Sequence, residues 1–436
     1  MRPSAPWTIL HVDLDALPTR LEIPAEARGV LLYFRMQGMV LGLTHEMPEA
    51  FPMEAGDLAR RAAQAIGGTV TLLLACGLDP VRPHELPDLW ADRGVPAAED
   101  LDRLSDLIRA RRDAAPALTA SIVICTRRRP RDLANCLDSL STEIAGDRDI
   151  VVVDNGPDPE TRAVVEAHPG VRYVTEPTPG LSRARNAGVL AARGDVVVFV
   201  DDDVRPEPGW IEPLLGAFAP GVDVVCGLVL PETLAAEAQI AFQYDLGFGG
   251  MGQVPLLYDR VFLDRSPASP PVWDIGAGAN MAVRRRRVLE LGGFDERIGP
   301  GAAGGCGDDS EYWSRVLHAG GAIVYEPLSV VRHRHRDSWD DLKRQAYGYG
   351  FGHIVALLAQ YGRNRDRRDL RRALWTMPVW LARRGLKAPL QRLLRKPDRL
   401  TGPWLRGYAG SLAYLPMAFR PPATSFLPPQ PRSDDE

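Results

Sequence analysis

The sequence predicts an α/β protein: a mostly parallel sheet flanked by helices, with a small α/β domain before it and a helical extension after it. Three observations carry this expectation. From residue 120, continuous apolar runs (SIVIC, DIVVVDN, VRYVT, DVVVFVD) alternate with helical stretches (RDLANCLDSLS, PETRAVVEAH, LSRARNAGVLAAR), the pattern of parallel strands covered on both faces. The chain has 436 residues, 45 % apolar and 25 % charged, an ordinary globular composition too long for one domain. Its net charge of -4 conceals a basic C-terminal third, with 18 Lys/Arg against 6 Asp/Glu over residues 336–420.

In chain order, residues 1–115 form the small domain. WTILHVDL and GVLLYFRM read as strands, and MVLGLTHEM as a hairpin partner after the Gln37-Gly38 turn. GDLARRAAQAIG reads as a helix, TVTLLLACG as a further strand, and AAEDLDRLSDLIRARRDAAP as a helix ending at Pro116. No role is legible for this domain. Residues 118–340 hold the main sheet, continued by VDVVCGLVL after Pro220. Residues 231–272 have weak periodicity and read as one long binding loop or lid. A helix over 337–361, weakened by Gly348, Gly350 and Gly352, opens an Arg-rich helical extension over 341–420. The Pro-rich tail 421–436 is expected to be disordered.

Several classes are excluded. Five scattered cysteines without CxxC spacing suggest neither a disulfide framework nor a zinc site, and fit a reducing cytoplasm. The start shows no apolar run followed by a small-residue cleavage site, and no stretch approaches a membrane span of about 18 apolar residues. No motif points to nucleic acid. The basic C-terminal helices suit either an anionic partner, such as the inner face of the cell membrane, or a helical cap on the sheet domain.

In such sheets, ligands bind beyond the carboxyl ends of the strands. Three strands here end in polar groups: Thr126 with Arg127, Asp154 with Asn155, and the triplet Asp201, Asp202, Asp203. Side chains alternate along a strand, so Asp201 and Asp203 can face one side and share a hard divalent cation. Some interaction must offset the repulsion of three adjacent carboxylates. Gly276 to Ala279 permit close approach of another group, and Trp273 offers a flat apolar face.

An ordered series of short motifs, SIVICTRRRP, VVVDNG, PGLSRARNAG, VFVDDDVRP, GAGANMAVRR, LGGFDERIG, GDDSEYWSRVLHAG and VRHRHRDSW, resembles the family 2 glycosyltransferases. The resemblance spans roughly residues 120–340 and implies the GT-A nucleotide-diphospho-sugar transferase fold. It implies that Thr126 and Arg127 lie near the nucleotide and that Asp154 contacts the nucleobase. Arg185 and Asn186 match the family's Arg-Asn pair at the diphosphate. The triplet matches the DXD motif, with Asp203 as direct ligand of Mn or Mg, Asp201 at the ribose or metal, and Asp202 between them on the donor side. Asp309 aligns with the general base; Asp308 and Glu311 complete its acidic motif on the acceptor side, although family members usually carry Glu where this chain has Asp308. Trp273, Gly278, Ala279 and Asn280 resemble the acceptor loop. A histidine at the metal or diphosphate is expected from His333 or His335, with His335 the slightly better match.

The implied function is metal-dependent, inverting transfer of one sugar from a nucleotide-diphosphate donor to a hydroxyl of a glycan or lipid-linked acceptor. Processive relatives carry membrane spans and a QxxRW motif, and neither is found. Two alternatives are weaker. An inactive nucleotide-sugar-binding scaffold has no need of both carboxylate clusters. A sugar-phosphate nucleotidyltransferase calls for a Gly-rich loop after the first strand, where this chain has TRRRP.

Overall fold

A computed structural model describes residues 4–86, 94–113, 118–146, 148–247, 252–393 and 398–419. The Pro116 boundary and the tail 421–436 lie outside them.

The N-terminal region contains β1 (Trp7–Asp13), β2 (Arg20–Leu21), β3 (Gly29–Met36), β4 (Met39–Glu46) and β5 (Met53–Glu54). The strand β3 pairs parallel with β1 and forms a hairpin with β4. The expected strand TVTLLLACG is instead the second half of one helix, Ala55–Cys76. Buried Leu58, Ala62, Ile66, Val70 and Leu73 continue one helical stripe through it, and this period overrides the β propensity of its Thr and Val residues.

The main sheet has nine strands: β6 (Ala120–Thr126), β7 (Asp149–Asp154), β8 (Val171–Thr175), β9 (Val196–Asp201), β10 (Val204–Pro206), β11 (Val222–Pro231), β12 (Leu256–Tyr258), β13 (Asn280–Arg284) and β14 (Ala322–His333). Their order is β10-β14-β11-β13-β9-β6-β7-β8, with β12 pairing on β14. The pairings make six strands run one way and β10, β12 and β13 the other, so the expected parallel majority holds in a mixed sheet. Alternate residues divide between two cores: Val123, Val197 and Phe199 face one, Ile122, Ile124, Val196, Val198 and Val200 the other.

The N-terminal region is not a separate unit. Val30, Leu32, Phe34, Leu104 and Ile108 belong to the same buried cluster as Val123, Phe199 and Trp313. Arg35 pairs with Glu207 at 2.5 Å, and Arg111 with the fully buried Glu326 at 3.1 Å.

Residues 231–272 are not one loop either. They contain the helix Glu237–Asp245, β12 and the helix Arg260–Asp264. Ala238, Gln239, Ile240, Ala241 and Phe242 are consecutive and buried; a helix enclosed on several sides shows no polar face and hence no period.

The helix Trp339–Asn364 runs unbroken for 26 residues. Its glycines permit contact rather than weaken it. A Cβ on Gly350 would lie 2.5 Å from the Trp404 carbonyl oxygen, and one on Gly407 would lie 2.2 Å from that of Tyr347, so both are needed for this helix to cross Thr401–Ser411 closely. Leu342, Ile354, Leu357 and Leu358 share a core with Leu400, Trp404 and Phe242, so the extension caps the sheet domain. Among the described residues no helix is long and apolar enough to cross a membrane.

Candidate functional site

The polar strand ends form one rim. Thr126 is in register with Asp154 across β6 and β7, and Cys125 with Asp201 across β6 and β9. Asp154 is fully buried; its Oδ2 accepts from the Asp158 amide at 3.1 Å and the Tyr173 hydroxyl at 2.7 Å, and its Oδ1 has no hydrogen-bond partner. The N-cap of the following helix is Asp158, not Asp154. A buried acceptor without a donor is costly, so Asp154 retains the capacity to receive an N–H from a ligand. Exposed Arg127 lies alongside Gly156 and Gly301 at the mouth of this region.

The acidic triplet does not alternate as a strand would, because β9 stops at Asp201 and the next two residues turn into β10. Arg129 Nη1 bridges Asp202 at 3.0 Å and Asp203 at 3.1 Å. Arg336 lies 3.5 Å from Asp203, and Arg185 lies 3.8 Å from Asp201. Three guanidiniums therefore offset the repulsion in the protein itself. Burial, reinforced by the neighbouring carboxylates and opposed by Arg185, pushes Asp201 up to about 7. Burial and Asp203, opposed by Arg129 and Thr126, push Asp202 up to about 6. For Asp203, burial is outweighed by His333, Arg129 and Arg336, which hold it below the usual carboxylate range.

Thr126, expected at the nucleotide, donates its hydroxyl to Asp202 Oδ2 at 2.8 Å; it positions the triplet. Arg129, the last of three consecutive arginines, was not singled out by the sequence, because Arg127, Arg128 and Arg129 are indistinguishable as residue types.

Of the two histidines expected at the metal or diphosphate, His333 stands nearer the triplet. His333, the last residue of β14, places Nε2 3.5 Å from Asp203 Oδ1. His335 stands behind it: the two Nδ1 atoms are 2.9 Å apart, and His335 Nε2 is 3.0 Å from Gln243 Oε1. Phe242 packs against the His335 ring at 4.5 Å, and Gln239 donates to the His335 carbonyl at 3.2 Å. Burial lowers both imidazoles, opposed at His333 by the Asp203 charge and carrying His335 down to about 2. A neutral imidazole beside an ionised carboxylate is a donor set for Mn or Mg. Among the described residues no group of three or more His, Cys, Asp or Glu side chains could hold a metal ion. Asp203 and His333 thus fit as a two-ligand partial site that other oxygens, such as those of a diphosphate, would have to complete.

Arg185, on the helix Leu181–Ala191, links the triplet to the candidate base. It is buried and donates to Asp308 Oδ2 at 2.5 Å and to the Gly278 carbonyl at 3.3 Å. Asp309 Oδ2 accepts from the Gly278 amide at 3.1 Å, and its Oδ1 accepts from the Ser310 amide at 2.7 Å. Gly278 leaves room for both side-chain ends, since a Cβ there would meet Arg185 Nη2 at 2.6 Å and Asp309 Oδ2 at 3.0 Å. Buried Ala279 follows directly. Asp308, buried, is raised by burial and by Asp309 against the pull of Arg185.

Three further expected contacts have structural partners instead. Asn186 accepts from the Phe294 amide at 2.8 Å and donates back to its carbonyl at 3.0 Å, fastening the loop that leads to Asp308. Asn280, fully buried, donates to the carbonyls of Leu228 and Ser329, both at 3.2 Å. Glu311 is enclosed with Arg315 at 2.7 Å and Arg363 at 3.1 Å. These polar residues support the site from beneath. Arg183, which reads as a solvated helix residue, pairs with Glu296 at 2.7 Å.

Trp273 stacks on His353 at 4.4 Å and 7°, and His353 on Tyr349 at 5.6 Å and 9°. Burial lowers His353 to about 4, and the Asp309 charge opposes that shift; a Cβ on Gly307, beside Asp308, would lie 3.3 Å from the Gly352 carbonyl oxygen, so the long C-terminal helix contributes to the side of the site that holds Asp309. Only the three-dimensional crossing reveals this, as His353 carries no local motif.

Comparison with known proteins places these residues in a family. The model for "Glycosyl transferase family 2" matches residues 121–234, and that for "Glycosyl transferase family group 2" matches residues 196–414, half of the chain. The pre-mycofactocin glycosyltransferase of Mycobacterium tuberculosis is 31 % identical over 228 residues, 50 % of this chain and 44 % of that protein; the match thus spans less than half of that relative's length. The glucosyl-dolichyl phosphate glucuronosyltransferase of Haloferax volcanii is 24 % identical over 260 residues, 55 % of this chain and 77 % of that protein. A mannosyltransferase from Pyrobaculum calidifontis, solved with GDP-Man and Mn2+, aligns at 19 % identity and TM-score 0.42 over 70 % of this chain and 88 % of its own. The matched segments contain the triplet, Arg185, Asp309 and His333, and the chain belongs to the family 2 glycosyltransferases.

Proposed function

We propose that the chain transfers one glycosyl group from a nucleotide-diphosphate sugar to an acceptor hydroxyl, with inversion and with a divalent cation. The observation that carries this reading is the placement of Arg185, whose guanidinium reaches both Asp201 at 3.8 Å and Asp308 at 2.5 Å. One buried cation thereby ties the donor-side triplet to the segment bearing Asp309.

In this reading Asp154 Oδ1 receives an N–H of the nucleobase, and Arg127 and Arg129 face the diphosphate. Asp203 and His333 would hold Mn or Mg, which supplies positive charge to the departing diphosphate. Asp309 accepts the proton of the acceptor hydroxyl as its oxygen attacks the anomeric carbon. The bond to the diphosphate oxygen breaks on the opposite face, and the electron pair leaves with the nucleotide. The Gly278 and Ser310 amides hold the carboxylate in place, so little reorganisation accompanies the step. The archaeal relative is named for a dolichyl-phosphate glucoside, which supports a lipid-linked saccharide as acceptor.

The test is nucleotide release from a panel of nucleotide sugars, with and without Mn2+. Cation-dependent release from at least one donor is expected. No release and no binding with any donor would overturn the reading.

A further inference from the structure

We infer that the outward face of the C-terminal extension is a docking surface for an anionic phospholipid bilayer, adjoining the acceptor side of the site. Residues 370–419 contain ten Lys/Arg and a single acid, Asp398. That acid is already paired, with Arg384 at 3.3 Å and the Thr401 amide at 2.9 Å. Among the described residues, exposed Arg371, Arg383, Arg399 and Arg406 have no carboxylate partner, so the surface they share is the complement of an anionic leaflet.

Its apolar residues are exposed where a soluble cap would bury them. Trp375 is 67 % exposed, Leu386 81 %, Leu374 45 % and Leu405 42 %. On the helix beginning at Met377 and the turn before it, Arg371, Trp375, Ala382 and Leu386 recur at helical spacing on the exposed side. On Thr401–Ser411 and the residues that follow, exposed Leu405, Ala409 and Leu412 do the same, with Arg406 the one charge among them. The opposite sides of these helices supply Leu381, Leu400 and Trp404 to the buried core, so the exposure belongs to the folded protein. Tryptophan and leucine beside arginine, with no acid between them, is the make-up of a helix lying in the interface of a bilayer.

The two helices meet where Trp380 contacts Trp404 at 5.4 Å. From there aromatic contacts run inward, Trp404 to His353 at 5.8 Å and His353 to Trp273 at 4.4 Å. Arg372, at the start of the basic segment, sits 5.8 Å from the Trp273 ring. The surface is thus continuous with the loop that carries Gly278. A bilayer seated there would bring a membrane-embedded hydroxyl acceptor to that side of the site.

The experiment is flotation of the full chain with vesicles of phosphatidylcholine alone and of phosphatidylcholine with phosphatidylglycerol. Binding to the anionic vesicles is expected, at least tenfold above neutral ones and reduced by 0.5 M salt by roughly the Debye argument for surface charges. The double variant Trp375→Ser, Leu405→Ser should lose at least tenfold of that binding while its thermal transition and its cation-dependent nucleotide release stay as in the parent protein. A second variant, Arg371→Glu with Arg383→Glu, should lose binding without changing an apolar residue. Absence of binding to anionic vesicles, equal binding to neutral ones, or unchanged binding of both variants would overturn the inference. So would a parent dimer in solution that the Trp375→Ser, Leu405→Ser change converts to monomer, since a second copy would then be the occupant. Because vesicle binding is read without turnover, failure here leaves the glycosyl-transfer reading standing, and the reverse also holds.

Discussion

The imidazoles of His333 and His335 meet Nδ1 to Nδ1 at 2.9 Å, a contact in which one nitrogen must carry the proton and the other must accept it. With Gln243 Oε1 facing His335 Nε2, the tautomer that suits a bound cation has His335 accepting at Nδ1 and His333 donating from its own, which turns the His333 Nε2 lone pair, 3.5 Å from Asp203, toward that cation. Outer groups that fix the tautomer of a metal-ligating histidine typically contribute 10–100-fold to metal affinity. Gln243→Leu and His335→Phe are therefore expected to weaken Mn2+ binding about tenfold or more, measured by electron paramagnetic resonance with a nucleoside diphosphate present. His333→Ala should weaken it further. Unchanged Mn2+ affinity in Gln243→Leu would remove the relay.

Asp309→Asn keeps the shape of the side chain and removes its basicity. General-base catalysis contributes about 10²–10⁴-fold, so transfer should fall by at least a hundredfold while binding of the donor, followed by calorimetry, is retained. Equal transfer rates in the two proteins would exclude Asp309 as the base.

Gly278→Ala tests the same carboxylate from its other side. The added Cβ meets Arg185 and Asp309 within 3.0 Å and must displace one of them. A loss in kcat of about tenfold or more is expected, with KM for the donor changed much less. A fully active alanine variant would show that this contact is dispensable.

Asp201 gives a pH dependence of known sign. Its pKa in the folded protein, about 7, lies above the ordinary value of 3.8, so the folded state binds more protons than the unfolded one. Stability of the ligand-free protein should fall as pH rises from about 4 to about 7. Asp201→Asn should flatten that slope and raise the melting temperature at pH 7.5 more than at pH 5. Asp203 has the opposite sign, held low by His333, Arg129 and Arg336, so Asp203→Ala should cost some stability while abolishing metal-dependent donor binding. A melting temperature equally pH-dependent with and without Asp201 would refute the assignment.

Much of this was legible in the sequence because it lay in short contiguous motifs. Apolar strands ending in Thr126, Asp154 and Asp201 located the rim, and GDDSE located Asp309. What the sequence concealed was mostly the buried polar chemistry between motifs. Asn186, Asn280 and Glu311 sit within motifs but make their hydrogen bonds beneath the site, a distinction of side-chain direction that spacing does not encode. Gln243 and His353 lie on helices enclosed on several sides, where no amphipathic period survives to mark them. Thr69 and Val70 misled in the opposite sense: their residue type favours a strand, and only the continued stripe from Leu58 to Leu73 identifies the helix.

The pairing of Arg111 with Glu326 bears on how this enzyme can be divided. Glu326 is fully buried on β14, and burial already raises its pKa against the pull of Arg111. A fragment beginning at Leu118 would lose the counter-ion of that carboxylate and would bare to water the sheet face that Phe34 and Leu104 cover. The first hundred residues are therefore a wall of the catalytic building rather than an annex: a shortened protein should fail to fold, and exchange between relatives should succeed only when both sides of the seam are moved together.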